Sequence, residues 1–359
     1  MHTIRFILVL VALLSINACR PDSNTSPDQS VVLYTSVDDE FARIVVKEFT
    51  QETGITVQLV GDTEATKTTG LIARLKAEAG NPQCDLWWSS EPFGTIELAN
   101  DGILLPNGIA IAVDPDWPAD LVAEDHSWIG FASRARVIAY ATDRVDTPPT
   151  TLRDFAQPHW KGRIGMARPQ FGTTRGHMGI LASRWGLPQF ERWLTMLKNN
   201  TIRMYDGNAS VVRAIAMGEI DIGLTDTDDV WAGQRNGWKV DCVYESFDSP
   251  MELNTLTSGG PTLLPNTVAI IKNAPNPNNA MNLARFLLSA RVETLLAEST
   301  SRNIPANPEL KELFNVTAPD SLVAPDPNRV KGQSIYPDFS DAASMIPPAL
   351  DACDRVLGP

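Results

Sequence analysis

Short apolar strands alternate with helical segments along nearly the whole chain, and no other feature restricts the fold as strongly. Residues 31–34 (VVLY) read as a strand. Residues 38–49 follow with Phe41, Ile44, Val45 and Phe49 on one helical face, and Gly54 stands where a helix end favours a left-handed residue. Asp38, Asp39 and Glu40 crowd the first turn, where the backbone dipole favours negative charge. The rhythm continues with a strand at 55–60, a helix at 67–79, a strand at 85–88 and a helix at 91–100. It resumes with a strand at 134–141, a capped turn at 151–155, a strand at 163–167 and helices at 174–185 and 188–197. Next come a strand at 202–205, a helix at 209–217, a strand at 220–224, a helix at 228–236 and a strand at 240–244. A strand at 268–271 and helices at 279–288 and 291–298 precede an irregular, proline-rich stretch at 305–327. Strand–helix alternation of this kind predicts an α/β fold with parallel strands covered by helices. No internal repeat of fixed period interrupts it.

The N-terminal residues predict the compartment. A short charged start is followed by an apolar run at 6–14 and by Ser15-Ile16-Asn17-Ala18-Cys19, the pattern of a cleaved secretory signal over residues 1–18. Cys19 directly after Ala18 reads as a bacterial lipobox, so acylation of its thiol would anchor the protein to the membrane. Residues 19–30 then form a polar tether. About 330 residues remain for folding, enough for two domains. The expected location is the periplasmic face of the cell envelope. Cys84, Cys242 and Cys353 allow one disulfide and one leftover thiol, or three buried small side chains, and match no zinc spacing. The net charge is −13, and no basic run is present to neutralise phosphates, which disfavours nucleic acid as a partner.

In open α/β sheets, ligands bind beyond the carboxyl ends of the strands. The turns there share one composition. They carry Thr35, Ser36 and Asp38; Asp62, Thr63 and Glu64; Ser89, Ser90 and Glu91; Thr173, Thr174 and Arg175; Asp206 and Asn208; and Thr225, Asp226, Thr227, Asp228 and Asp229. One such turn is ordinarily a helix cap, whereas six converging on one cleft make a binding site. Carboxylates at Asp38, Glu64, Glu91, Asp226 and Asp228 suit a hard cation or an amine or polyhydroxyl ligand, with Glu64, Asp226 and Asp228 as candidate metal ligands. Hydroxyls and backbone N–H groups at Gly172-Thr173-Thr174, with Arg175 and His177 beside them, suit an oxyanion. A ferric ion bound together with an anion would use both sets.

Enzymatic readings have little support. The chain has no G-x-S-x-G, H-E-x-x-H, Walker A or G-x-G-x-x-G. His126 and His159 read as surface and packing residues, and His177 as a candidate ligand contact in the first turn of its helix. Trp87 and Trp88 alternate faces in a strand, so one belongs to the core and the other can line the cleft.

The stretches LYTSVDDEFARIVVKEFTQETGI, DTEATKTTGLIARLKAE, DLWWSSEP, GMARPQFGTTRGH, YDGNASVVRAIAMGEIDIGLTDTDDVWAG and LPNTVAIIKNAPNPNNAMNLARFLLSAR resemble the periplasmic substrate-binding family of ABC importers that includes the ferric-binding proteins. The resemblance spans residues 31–307. It implies a two-lobe type II periplasmic-binding-protein fold: two mixed sheets covered by helices, a hinge and a central cleft. It also implies discontinuous lobes, 31–133 with 256–290 and 134–255 with 291–330, followed by a C-terminal tail at 331–359. The implied protein is a monomer without a resident cofactor, not an enzyme, that delivers its ligand to a permease pair and an ATPase. Ferric iron or an iron chelate is the first expectation for the cargo. A small organic anion such as a sugar phosphate or phosphonate is the alternative, and an extracytoplasmic enzyme on the same fold is a third reading. One departure stands out: ferric-binding members carry an adjacent tyrosine pair in the turn that here reads Leu224-Thr225-Asp226-Thr227-Asp228-Asp229, and the His or Tyr expected soon after the first strand is replaced by Ser36 and Asp38.

Overall fold

The computed structural model describes residues 29–62, 68–112, 114–245, 261–310, 312–313 and 336–358. The expected leader, Cys19, Thr63, Glu64 and the chain crossing placed near Leu256 lie outside the described residues.

Among the described residues nine strands form the frame: β1 (Ser30–Thr35), β2 (Thr56–Gly61), β3 (Leu86–Ser89), β4 (Trp128–Ala141), β5 (Ile164–Ala167), β6 (Arg203–Tyr205), β7 (Ile222–Asp226), β8 (Val240–Tyr244) and β9 (Leu263–Ile270). They run in the order β2-β1-β3-β9-β4-β7-β5-β6, with β8 also on β4. The outer pairs β1–β2, β1–β3, β5–β6 and β5–β7 are parallel, as strand–helix alternation requires. Every pair that involves β4 or β9 is antiparallel, so the sheets are mixed.

β4 joins the two halves. Its first part, from Trp128 to Ala135, pairs with β9; its second, from Arg136 to Ala141, pairs with β7 and β8. The register slips between Phe131 and Arg134, where Ala132 adopts a φ of 44°. A bulge at this point bends the strand and re-aims its side chains. β4 begins six residues before the strand at 134–141 read from the sequence. The difference arises because WIGFASRARVIAYA is buried on both faces and shows no alternation that marks a start.

The helices are α1 (Asp39–Thr53), α2 (Thr69–Ala77), α3 (Pro92–Asn100), α4 (Leu152–Phe155), α5 (Gly172–Trp185), α6 (Leu187–Asn199), α7 (Asn208–Ala216), α8 (Thr227–Arg235), α9 (Pro277–Leu287), α10 (Ala290–Glu298) and α11 (Phe339–Leu357). α1 buries Ala42, Val45 and Phe49 and ends at Gly54, whose φ of 72° is the left-handed cap its sequence announces. In the first lobe, α1, α2, α3 and α9 cover β1, β2, β3 and β9. In the second, α7 and α8 cover one face of β4, β5, β7 and β8 over a core that includes Val137, Val211, Ile215 and Val230. On the other face, α5 and α6 pack with α11.

α11 occupies the segment expected to be a C-terminal tail. Asp338 caps it through Asp341 N–H at 2.9 Å, and Phe339, Ala342, Ile346, Ala349, Ala352 and Cys353 form a buried stripe at helical spacing. Pro347 and Pro348 sit inside the helix and remove two backbone donors, which is why the sequence does not advertise it. Phe339 stacks edge-on against Phe93 of α3, so α11 touches both lobes. Phe93 also lies over Gly176 of α5, where a Cβ would come within 2.1 Å of the ring. Only glycine permits that approach between α3 and α5.

Candidate functional site

The cleft opens where the strands of both halves end. Asp38, just before α1, and Ser90, just after β3, face it from the first lobe; Gly172, Thr173 and Thr174 of α5, Asp206, Asn208, Asp226, Asp228 and Asp229 face it from the second. Arg134, from the bend in β4, and Arg168 complete the wall of a cavity of about 490 Å³ including its mouth. Among the described residues, five lining side chains are carboxylates and two are guanidinium groups. Oxygens of Asp226, Asp228 and Asp229 lie within 4.8 Å of one another.

Asp226 is the keystone of the second-lobe wall. Its Oδ1 accepts from Arg136 Nη1 at 2.7 Å. Its Oδ2 accepts from Thr173 Oγ1 at 2.5 Å, Asn208 Nδ2 at 2.9 Å and Arg134 Nε at 3.2 Å. Burial opposes ionisation, but Arg136, Arg134 and the Thr173 hydroxyl outweigh it and hold the carboxyl below the usual carboxylate range. With four donors on two oxygens, Asp226 positions β7, α5 and α7 relative to one another, and Asp228 and Asp229 line the same cavity beside it.

Arg134 spans the lobes: its Nη2 donates to Ser90 O at 2.5 Å on one side while its Nε meets Asp226 on the other, with Asp228 at 3.9 Å. Burial works against its charge, yet the surrounding carboxylates of Asp228, Asp226, Asp38 and Asp229 raise its pKa above the ordinary arginine value. Arg136 is fully buried, and its Nε and Nη2 find no hydrogen-bond partner among the described residues.

The structure therefore brings Asp38, Ser90, Thr173, Thr174, Asn208, Asp226 and Asp228 around one cavity. The other described candidates hold the turns instead. Thr35 Oγ1 accepts from Val37 N, and Ser36 Oγ from Ser90 N at 2.9 Å, tying the first turn to the third. Ser89 Oγ accepts from Glu91 N at 3.3 Å. Glu91 is the N-cap of α3, accepting from Phe93 N at 2.7 Å and Gly94 N at 3.0 Å; burial raises its pKa despite nearby Arg175 and these N–H donors. Thr225 Oγ1 donates to Asn208 O and Asp229 Oδ2, and Thr227 Oγ1 accepts from Ala135 N. Arg175 turns away to Glu97 of α3 at 3.0 Å, an ion pair between lobes.

His177 lies behind the wall, wholly buried, with Nε2 2.7 Å from Glu245 Oε1. Burial disfavours the Glu245 carboxylate, but His177 and Arg136 together lower its pKa. His177 follows Thr173 by four residues and Thr174 by three, so it shares their face of α5 but lies one turn further along the helix, past the cleft wall and against Glu245. Trp87 belongs to the core, with Nε1 donating to Thr95 Oγ1 at 2.9 Å. Cys84, Cys242 and Cys353 are all free thiols.

The sequence reading treated Arg134 and Arg136 only as part of a crossing strand. Two arginines at i and i+2 inside a run of buried apolar residues point to one face of the strand, and a buried guanidinium requires a carboxylate partner. That signal was present in the sequence.

Two mixed half-sheets joined by antiparallel crossing strands, with a polar cleft between them, define a two-lobe type II periplasmic binding fold. The bacterial extracellular solute-binding protein family matches residues 45–326, and the chain belongs to that family. The chain is 24% identical over 325 residues to the major ferric iron-binding protein of Neisseria meningitidis, covering 90% of this chain and 92% of that one. It is 26% identical over 284 residues to iron uptake protein A1 of Synechocystis, covering 76% and 74%. Among solved structures, iron-bound HitA from Pseudomonas aeruginosa superposes with a TM-score of 0.71 at 21% identity, over 91% of this chain and 99% of that one. The chain is a solute-binding protein, not an enzyme.

Proposed function

We propose that this protein captures ferric iron, free or chelated, in the interlobe cleft and delivers it to an importer formed by a permease pair and an ATPase. The observation that carries the reading is the excess of carboxylates in the cavity wall, five against two guanidinium groups, which favours a cation over a bare anion. The match to relatives named for ferric iron and iron uptake supports iron as that cation. Asp228 and Asp229 in the first turn of α8 and Asp38 from the opposite lobe are the proposed ligands, hard oxygen donors suited to a hard cation. The proposal includes export by the signal at residues 1–18, acylation at Cys19, a monomeric state and closure between lobes divided near residues 134, 256 and 290.

The test is thermal unfolding of the purified protein with ferric citrate. At about a hundredfold excess over Kd, a ligand specific to the folded state adds about 2.7 kcal/mol of stability. Asp228→Asn should abolish most of that shift while leaving the ligand-free protein folded. Among the described residues no tyrosine lines the cavity, so the loaded protein should lack the intense visible absorption of a phenolate–iron(III) bond. No shift with ferric complexes, together with a clear shift for a polyamine or a sugar phosphate, would refute the iron reading.

A further inference from the structure

Strand β4 passes from one lobe to the other through its bulge, and there Ala132 holds a φ of 44°, a value that an L side chain rarely adopts. Such a conformation persists only where its surroundings over-determine it. The bonds that do so can be named. Ala132 N–H donates to Glu293 Oε1 at 2.6 Å, and Ala132 O accepts from Asn266 Nδ2. Ser133 exchanges two backbone bonds with Ile304, at 2.8 and 2.7 Å, and its hydroxyl lies 3.2 Å from that of Tyr336. The next residue is Arg134, whose guanidinium crosses the cleft to Asp226 and Ser90.

Glu293 stands in the first turn of α10, wholly buried, and takes no part in the cavity wall. Besides Ala132, its oxygens accept from Ala306 N at 3.0 Å and from Asn307 N at 2.5 Å, so the carboxylate ties the bulge to the chain returning after α10. Burial pushes its pKa up to about 7, against the pull of the Ala306, Asn307 and Ala132 N–H groups. Among the described residues no charged side chain offsets that burial. From β4, Arg134 is turned to Asp226 and Asp228. From α9, Arg285 is exposed, as is Glu309 from the turn at Pro308–Leu310. On α10 itself, Glu298 is exposed and Arg291 pairs with Glu48 and Glu52. Before α11, burial and the Glu293 charge raise the pKa of Tyr336 despite its bond to Ser133, so its hydroxyl stays neutral; Asp120, which also acts on Tyr336, is exposed. An ionised carboxyl only accepts, whereas a protonated one carries a donor. Every polar group bonded to Glu293 is itself an N–H donor, so a proton displaces one of them, and the bonds that remain lose the strength that charge lends them.

We propose that Glu293 is the positioning residue of the hinge: its ionised carboxylate clamps the Ala132 bulge and so seats Arg134 in the cleft, and uptake of one proton loosens that clamp. Cargo retention then weakens as the surroundings turn from neutral to mildly acidic. The clamp itself concerns the ligand-free chain, and only its effect on cargo rests on the iron reading.

The experiment uses the full chain labelled with 15N-alanine, which reports two of the three donors, Ala132 and Ala306; Ala132→Gly identifies the first signal. Hydrogen exchange of both amides is followed without cargo from about pH 8 to about pH 6, on either side of the Glu293 value. The expected result is an about three- to tenfold fall in the protection of Ala132, the difference between a charge-assisted bond and a neutral one, and no fall in Glu293→Gln, which has no proton to take up. The Arg134 Nε–H resonance, assigned by Arg134→Lys, should move with the same midpoint. Because the folded-state pKa of Glu293 lies above its ordinary 4.5, the native chain should gain stability relative to Glu293→Gln as the pH falls through about 7, even as Ala132 loosens. General softening in acid would lower both. If Glu293→Gln does not fold, the 13C resonance of the Glu293 carboxyl in the native chain supplies the midpoint to set against that of Ala132. Equal protection of Ala132 at both pH values refutes the clamp, a change confined to Ala306 refutes its link to the hinge, and a loosened Ala132 beside an unmoved Arg134 refutes the positioning role. Release of ferric citrate, divided by its rate in Glu293→Gln, should rise about three- to tenfold from the higher pH to the lower; an unchanged ratio overturns the effect on cargo. If ferric citrate does not bind at all, the iron reading falls, and the amide and Arg134 signals still decide the clamp.

Discussion

Removing charge from the Asp226 carboxylate should expose how much of the cleft wall depends on it. Asp226→Asn keeps the shape but leaves Arg134 and Arg136, 7% and 0% exposed, without their shared anion. Breaking a buried ion pair from one side costs about 3–5 kcal/mol, because the partner charge stays buried and uncompensated. Two guanidinium groups lose their partner here, so we expect the upper end, about 5 kcal/mol. Arg136→Met is milder, since Asp226 keeps Arg134, Thr173 and Asn208; we expect about 3 kcal/mol. In the double variant, Arg136 no longer needs an anion, and Arg134 retains Asp228 at 3.9 Å. Its cost should stay near that of Asp226→Asn alone, giving a coupling energy of about 3 kcal/mol. Urea unfolding of all four proteins, followed by tryptophan fluorescence and calorimetry, measures the cycle. Additivity within about 0.5 kcal/mol would show that the two residues act independently and would refute the keystone role.

Gly176→Ala places a methyl group 2.1 Å from the Phe93 ring and should cost about 1–3 kcal/mol in thermal unfolding while moving α3 away from α5; unchanged stability would mean that the two lobes are not in contact there. Acid should be tolerated further than ordinary carboxylates allow. The folded-state pKa of Asp226 lies below its ordinary 3.8, so its contribution is complete above that value and is lost as the pH falls through the lower, folded-state value. A stability–pH profile should therefore keep this contribution through pH 4 and lose it below, and the step should vanish in Asp226→Asn.

Most of the frame could be read from residues alone, because strand and helix periods differ and glycines such as Gly54 mark the stops. The location of the cleft followed from topology, since the turns after β1, β3, β5 and β7 all belong to one side of the sheets. The roles within those turns did not follow. An oxygen that caps a helix and an oxygen that binds a solute occupy the same position relative to the strand, so Glu91 and Ser90 look equivalent in sequence. Only the structure shows that Glu91 is spent on Phe93 and Gly94 N–H groups while Ser90 lines the cavity. His177 was placed on the correct helix and face, but it lies one turn too deep to reach the cleft and meets Glu245 instead. α11 escaped notice because its prolines contradict local propensity, which its contacts with α5 and α6 overrule.

The pairing of Trp88 with Val268 and the seating of α11 on α5 have a further consequence for how the chain reaches its native state. The strand that completes the first half-sheet and the helix that seals the second are both supplied late in synthesis. Neither half can shut on its own shortly after it is made. Such distant closures are slow to form. Final closure of both halves consequently waits for the C-terminal third of the chain, later than in a chain of two consecutive, self-contained domains.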